Sequence, residues 1–206
     1  STCHCGSVEI GARAPISTDP QWHVLHDIDK RDAYILGGCV EDLWLAVSAL
    51  EDIVPEVAGH VGYTGVSFGG GIGALAIPWD ARIRRGHLEV PSFGNHPLRL
   101  TLPSIGSGAA VQAYWRHHAE VVETLAWYDA ATAARFIAIP MLVAAALFDP
   151  VVAPPGQFAI ANALPDRGTG GCQSLFTLPA GHFDYPGRER QEGALRQAVG
   201  DFFAAL

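Results

Sequence analysis

Residues 61–71 read VGYTGVSFGGG, and this stretch decides the fold of the chain. Its first half has the β-branched and aromatic residues of a strand, and its second half has the small residues of a helix that lies close to a sheet. Between them, Gly65-Val66-Ser67-Phe68-Gly69 fits G-x-S-x-G, a strand–turn–helix pattern that holds a serine hydroxyl clear of a sheet. The sharp turn crowds the backbone and favours glycine on both sides of the serine. A glycine-rich strand–helix connection with no catalytic serine could have the same sequence pattern. Other parts of the chain are therefore needed to distinguish the two interpretations.

Composition predicts one globular domain over residues 1–206, with 49% hydrophobic and 17% charged residues. The net charge of −8 argues against nucleic-acid binding, and we interpret the one basic cluster, Arg82–Arg85, as a solvated turn. No apolar run is long enough to span a membrane and no signal peptide is visible, so we expect a cytoplasmic protein without a membrane partner. Secretion stays open, because a chain that starts at Ser1 has a trimmed N-terminus.

Cysteine and histidine do not predict a metal site. The four cysteines, at positions 3, 5, 39 and 172, form no disulfide framework in a chain of this length. Cys3-His4-Cys5 offers ligands spaced by one residue and has no second pair nearby, which is a poor basis for a tetrahedral site.

Hydrophobic periodicity outlines the remaining elements. Residues 1–38 have no regular pattern, and we interpret them as an irregular insertion or connecting segment. After residue 38, helical spacing alternates with short apolar runs. The predicted elements are a helix over 40–54 introduced by Gly37-Gly38, the strand from 61, a helix to 77, a strand over 87–90, a helix over 111–127, a strand over 140–149, a helix over 154–164, a strand over 174–178 and a final helix over 195–206.

Strands that alternate with helices predict an α/β fold with a parallel sheet and helices on both faces. Such sheets carry their sites at the carboxyl ends of the strands. Ser67, Asp149 and His182 each follow a different predicted strand, in the chain order of an α/β-hydrolase triad. Three separate features in this order favour a triad over three unrelated surface residues.

At these residues the chain resembles the acetyl xylan esterase/cephalosporin-C deacetylase family of α/β-hydrolases. The resemblance is carried by residues 63–71, 138–150, 153–155 and 181–182. It implies that Ser67 is the nucleophile, His182 the general base and Asp149 its orienting carboxylate. It also implies removal of acetyl groups from small acetylated sugars or related esters without a metal or cofactor, and assembly into a homo-oligomer.

The chain departs from the family pattern at two positions. Family members usually carry Gln after the nucleophile and Glu after the catalytic histidine, where this chain has Phe68 and Phe183. Neither change removes a triad atom, but both alter the rim of the pocket. The backbone N–H of Phe68, at a helix N-terminus, is expected to be one oxyanion-hole donor, and the second normally comes from a loop after an earlier strand.

The sequence before the helix at 40–54 does not supply that earlier strand. Residues 5–10 offer at most one short strand, so we expect a sheet that lacks the N-terminal strands of the fold. A companion chain, or a cleaved N-terminal portion of the same precursor, would complete it. Two alternatives to an acetyl esterase stay open: a catalytically impaired subunit that keeps the hydrolase shape, and a hydrolase of another ester, thioester or peptide.

Overall fold

The structure, a computed structural model, describes residues 16–19, 21–165 and 173–206. Four strands form one sheet in the order β1-β2-β3-β4, and every neighbouring pair is parallel. The elements are α1 (Ile35–Ile53), β1 (Val61–Val66), α2 (Phe68–Ala76), β2 (Ile83–Glu89), α3 (His96–Arg99), α4 (Ser107–Trp115), α5 (Val121–Trp127), α6 (Ala130–Ala134), β3 (Met141–Ala146), α7 (Pro154–Ala163), β4 (Gln173–Leu178) and α8 (Arg188–Phe203), with 3-10 turns at His23–Leu25, Pro55–Val57 and Ile77–Trp79.

Helices cover both faces of the sheet, as the alternation of elements predicts. Most of the core lies on the face covered by α1, α2, α6 and α7, where Ile72, Leu88 and Met141 are at most 2% exposed. The opposite face carries α8, and a smaller cluster with Ala146 and Leu195 lies beneath that helix. β3 is buried along its whole length, which explains its unbroken apolar sequence.

Helix α1 begins at Ile35, inside the segment predicted to be irregular. The expectation that Gly37-Gly38 introduces the helix was wrong, because both glycines lie within its first turns. A Cβ on Gly37 would lie 2.8 Å from the hydroxyl of Tyr128, which donates to the carbonyl of Arg31 at 2.6 Å. Gly37 therefore makes room for a packed tyrosine, and tertiary contact overrides its low helix propensity.

The basic cluster is not a solvated turn. Ile83 opens β2 and is fully buried, so the strand starts four residues before the predicted position 87. Arg82 instead forms a bidentate pair with the buried carboxylate of Asp80 and donates to Ser48 on α1. These hydrogen bonds connect the residues just before β2 to helix α1.

The helix predicted over 111–127 is two helices, α4 and α5. All five residues between them, 116–120, are exposed, so a continuous helix would bury nothing over that span. The interruption lets Val111 on α4 and both Val121 and Leu125 on α5 reach the core, each at most 3% exposed.

The outer edge of β1 has no partner strand among the described residues. Thr64 and Val66 on this strand are exposed, Val66 by 55%. At its beginning, Gly62 lies against α8 and the chain end, where a Cβ would meet the ring of Phe203 at 2.7 Å. Within the described ranges, no helix has the length and apolar character needed to cross a membrane.

Candidate active site

Ser67 links β1 to α2 in a backbone conformation that non-glycine residues rarely adopt, with φ 55° and ψ −111°. Three hydrogen bonds hold it there. Its N–H donates to the carbonyl of Glu89 at 2.8 Å, and its carbonyl accepts from the N–H groups of Gly71 and Ser92, both at 3.0 Å. Such a strained residue persists only where its surroundings fix it, and this strain typically marks a functional turn.

The two glycines of G-x-S-x-G are not equivalent. A Cβ on Gly65 would lie 2.6 Å from the backbone of Gly69, so the turn requires glycine at 65. Among the described residues, a Cβ on Gly69 would meet only the hydroxyl of Tyr63, at 3.7 Å, which is an ordinary contact. The expectation that both glycines are needed for lack of space therefore holds for Gly65 alone. The Tyr63 hydroxyl also donates to the carbonyl of Gly69 at 2.6 Å and ties β1 to α2.

The structure brings the three predicted site residues together from three strand ends. The Nε2 atom of His182 lies 2.9 Å from the Oγ atom of Ser67, and its Nδ1 atom lies 2.8 Å from Oδ2 of Asp149. The imidazole is 24% exposed, whereas the Asp149 side chain is fully buried. The arrangement is a serine hydroxyl open to a ligand, an imidazole behind it and a carboxylate shielded from water.

Asp149 accepts hydrogen bonds on both carboxylate oxygens. Oδ1 accepts from the backbone N–H groups of Val151 at 2.9 Å and Val152 at 3.0 Å. Oδ2 accepts from the Nε2 amide of Gln157 at 3.0 Å and also faces His182. Sequence reasoning missed Gln157; the available signal was a polar residue on the buried face of α7, one turn before Ile160, which is fully buried.

The loop that carries His182 leaves no space for a side chain at Gly181. A Cβ there would lie 2.6 Å from Oδ2 of Asp149 and 2.8 Å from Cγ1 of Val90. His182 itself has a positive φ of 49°, and Val90 has a φ of 40°. Two strained residues therefore flank the Asp149 carboxylate, and a glycine separates the carboxylate from Val90.

The N–H of Phe68 stands at the first position of α2, directly after Ser67. N–H groups in the first turn of a helix have no acceptor within that helix, and the helix dipole makes this end electropositive. The position therefore suits the predicted role of this N–H in an oxyanion hole. The Phe68 ring packs between His23 and Phe93, with ring centroids 5.2 and 5.3 Å away.

Two exposed phenylalanines lie beside the site. Phe148 directly precedes Asp149 and Phe183 directly follows His182, and they are 55% and 54% exposed. Their rings meet edge to face with centroids 5.7 Å apart. They form an exposed apolar pair whose members are the direct chain neighbours of Asp149 and His182.

A cavity of about 310 Å³, lined by both polar and apolar side chains, lies between the sheet and α8. Its wall includes His87, whose Nδ1 lies 2.9 Å from the Thr64 hydroxyl and whose buried Nε2 has no hydrogen-bond partner among the residues that the structure describes. Burial lowers the pKa of His87 to about 4. Burial also raises the pKa of Glu89 on the same wall, and the nearby carboxylate of Glu192 adds to that rise.

Within the described part of the chain, no group of three or more His, Cys, Asp or Glu side chains is arranged to hold a metal ion. The Cys3-His4-Cys5 stretch and the short strand expected over 5–10 lie outside the described residues.

Comparison with known proteins supports the fold and identifies a family. Residues 9–169 match the model of the acetyl xylan esterase (AXE1) family. A search of curated protein sequences finds no significant match.

Solved structures give a consistent result. The chain is similar to acetyl xylan esterases from Paenibacillus sp. R4 (TM-score 0.70) and Thermoanaerobacterium sp. JW/SL YS485 (TM-score 0.72), each at 20% identity, covering 93% and 96% of this chain. It also resembles an acylaminoacyl peptidase from Pyrococcus horikoshii, with a TM-score of 0.61 at 17% identity over 80% of this chain and 27% of that one. The chain spans 60% of the length of either acetyl xylan esterase. The predicted α/β-hydrolase fold is confirmed.

Proposed function

This chain belongs to the acetyl xylan esterase family, and we propose that it is a serine carboxylic-ester hydrolase that works through Ser67, His182 and Asp149. The observation that supports the proposal is the pair of contacts made by one imidazole, at 2.9 Å to the serine oxygen and 2.8 Å to a buried carboxylate. A free serine is a poor nucleophile at neutral pH and needs such a base.

In the proposed reaction, Oγ of Ser67 attacks the ester carbonyl while Nε2 of His182 takes the hydroxyl proton. Asp149 holds the imidazole and stabilises the imidazolium that forms. The carbonyl oxygen becomes an oxyanion, which the N–H of Phe68 stabilises; losing one such donor typically costs on the order of 100- to 1000-fold in rate. The tetrahedral intermediate releases the alcohol, which takes the proton from His182. Water then attacks the acyl-serine, aided by the same base, and releases the acid.

For the substrate, we propose acetyl esters of small sugars or related alcohols. Membership of the acetyl xylan esterase family supports the acetyl group. The leaving group is less constrained, because Phe68 and Phe183 stand where family members usually carry Gln and Glu. The exposed ring of Phe183 favours an alcohol with an apolar face, such as a sugar ring presented face-on or an aromatic alcohol.

We further propose that another stretch of polypeptide pairs with the outer edge of β1, as a companion chain or an N-terminal portion of the same precursor. Two observations support this. The edge of β1 is unpaired among the described residues, and the acetyl xylan esterases that this chain resembles have longer chains. That stretch would also carry the second oxyanion-hole donor. Intact-mass and N-terminal analysis of native material tests this; an active 21.9 kDa protein without a companion would contradict it.

Assembly into a homo-oligomer, which the resemblance implies, is part of the same proposal. Light scattering of active material gives its mass. A mass equal to that of one complete hydrolase unit would contradict the proposal.

The alternative is a subunit with the hydrolase shape but without efficient catalysis. A chromogenic acetyl ester assay with a Ser67→Ala control separates the two, since only an esterase loses a measurable rate in the variant. The same assay with thioester and peptide substrates tests the other hydrolase classes.

Labelling with a serine-reactive phosphonate, followed by peptide mapping, tests the assignment of the nucleophile. We expect modification at Ser67, lost in His182→Ala. Labelling at another serine would overturn the proposed mechanism.

A further inference from the structure

Gln157 is a fully buried polar residue in contact with the proposed triad. It lies on α7 with 0% exposure. Its amide oxygen accepts one hydrogen bond and its NH₂ group donates two, all within the protein. We infer that Gln157 is a positioning residue that holds Asp149 and thereby fixes which nitrogen of His182 carries the proton. This inference rests on the proposed function.

The orientation of the Gln157 amide follows from its neighbours. The N–H of Ala146 at the end of β3 lies 2.8 Å from one amide atom, which must therefore be the oxygen. The other atom is then the NH₂ group, and it has two acceptors, the carbonyl of Val152 at 2.7 Å and Oδ2 of Asp149 at 3.0 Å. A flipped amide would place its NH₂ against a donor and its oxygen against two acceptors.

This orientation determines the protonation of the histidine. Asp149 already accepts from the two backbone N–H groups of Val151 and Val152 and from Gln157. A carboxylate surrounded by donors acts only as an acceptor, so Nδ1 of His182 must be the donor in the 2.8 Å contact. Nε2 of the neutral imidazole is then the unprotonated nitrogen, which can accept the hydroxyl proton of Ser67. Gln157 also joins the end of β3 to the loop after Asp149, so the carboxylate cannot rotate freely.

The first test replaces Gln157 by methionine, which keeps the length of the side chain and removes both donors. We expect kcat to fall by about 10- to 100-fold, as expected for a displaced catalytic group, with KM changed by less than about threefold. The matched control is Ile160→Val, a buried change one turn further along α7 at an apolar side chain that lies against Gly94 and cannot hydrogen-bond to Asp149. Its kcat should equal that of the wild type. Equal kcat in Gln157→Met and the wild type would overturn the inference.

A second variant covers the case in which Gln157→Met fails to fold. Gln157→Glu keeps the acceptor for the N–H of Ala146 and places a second carboxyl group against Asp149. Two carboxyl groups this close share one proton. While the introduced carboxyl group holds that proton it donates to Asp149, and when the proton is lost the two groups repel. We therefore expect kcat to fall as the pH rises, from a lower pH than in the wild type, and an unchanged pH profile would refute the positioning role.

A readout without turnover separates this inference from the proposed function. In protein labelled with ¹⁵N-histidine, the wild type should show His182 as the tautomer protonated on Nδ1, assigned by loss of its signals in His182→Ala. Gln157→Met should show a mixture of His182 tautomers. Gln157→Glu should show the same mixture above the pH at which its kcat falls. If the wild type hydrolyses no ester, the proposed function fails while this measurement still decides the role of Gln157. A single, unchanged tautomer in both variants would contradict it.

Discussion

The N–H of Gly181 donates to the carbonyl of Phe148 at 2.8 Å. This bond ties the residue before His182 to the residue before Asp149, across a gap that leaves no space for a Cβ on Gly181. The loops that follow β3 and β4 are thus joined by backbone as well as by the imidazole–carboxylate contact. The spacing of the proposed base and its carboxylate depends on this glycine.

Gly181→Ala should therefore damage the site more than the fold. Its methyl group would displace Asp149, and we expect kcat to fall by about 100-fold with a stability loss of about 1–3 kcal/mol. The control is Gly200→Ala on α8, where a Cβ meets no atom of the described residues within 4 Å. That variant should gain about 0.5–1 kcal/mol at unchanged kcat. Urea unfolding and steady-state kinetics measure both variants, and a wild-type kcat in Gly181→Ala would contradict the prediction.

The turn at Ser67 should tolerate alanine on one side only. Gly65→Ala forces a methyl group against the backbone of Gly69, so we expect a loss of about 1–3 kcal/mol in the free energy of unfolding and a large loss of activity. Gly69→Ala meets only the Tyr63 hydroxyl, at 3.7 Å, and should change stability by less than about 1 kcal/mol. Chemical denaturation of the two variants measures the free energy of unfolding. Equal losses in Gly65→Ala and Gly69→Ala would contradict the predicted difference between the two sides of Ser67.

Stability should fall as the pH falls from about 6.5 to about 4. Burial lowers the pKa of His87 to about 4, from an ordinary value of 6.5, and lowers that of His96 to about 4. In this interval the unfolded chain binds protons that the folded chain does not, so acid favours unfolding. A pKa difference of about 2.5 corresponds to about 3 kcal/mol for His87. Glu89 acts in the opposite direction, because its raised pKa lets the folded chain take up a proton more readily.

His87→Gln tests this contribution, because glutamine can still hydrogen-bond to Thr64 but does not titrate. We expect the loss in free energy of unfolding between pH 7 and pH 4.5 to be about 2–3 kcal/mol smaller than in the wild type. His117→Gln, at an exposed position, is the control. If both variants lose as much stability as the wild type, His87 is not the residue responsible.

Phe183 should set the preference for the leaving group. Phe183→Ala removes half of the exposed aromatic pair, and we expect KM for phenyl acetate to rise by about 3- to 10-fold, with less than about a twofold change for an acetylated xylose. The matched control is Phe136→Ala, since Phe136 pairs with Trp79 at the same centroid distance of 5.7 Å. An equal rise of KM for both esters would mean that Phe183 does not discriminate between them.

The residues of the proposed triad could be selected from sequence because parallel sheets place functional side chains at strand ends. Ser67, Asp149 and His182 each follow a strand, and the strand order in space equals the order along the chain. The pattern of β3, apolar throughout, also follows directly from burial on both faces.

Other features depend on contacts between distant residues and have no local signal. Gln157 looks like any polar helix residue until Asp149 is known to lie beneath it. Gly37 looks like a helix boundary until the Tyr128 hydroxyl is found 2.8 Å from the place that a Cβ on Gly37 would occupy. Gly181 looks like a flexible loop residue, although a Cβ at this position would collide with the carboxylate of Asp149.

The order of the sheet also has a consequence during synthesis on the ribosome. Each strand pairs with the strand made just before it, so translation can extend the sheet at one edge. Ser67 is made 115 residues before His182, a delay of roughly 6 to 23 s at about 5–20 residues per second. Throughout that interval Ser67 has no His182 imidazole beside it. The nascent chain therefore carries an inert hydroxyl, and the proposed nucleophile gains its base only when β4 and the loop after it join the growing sheet.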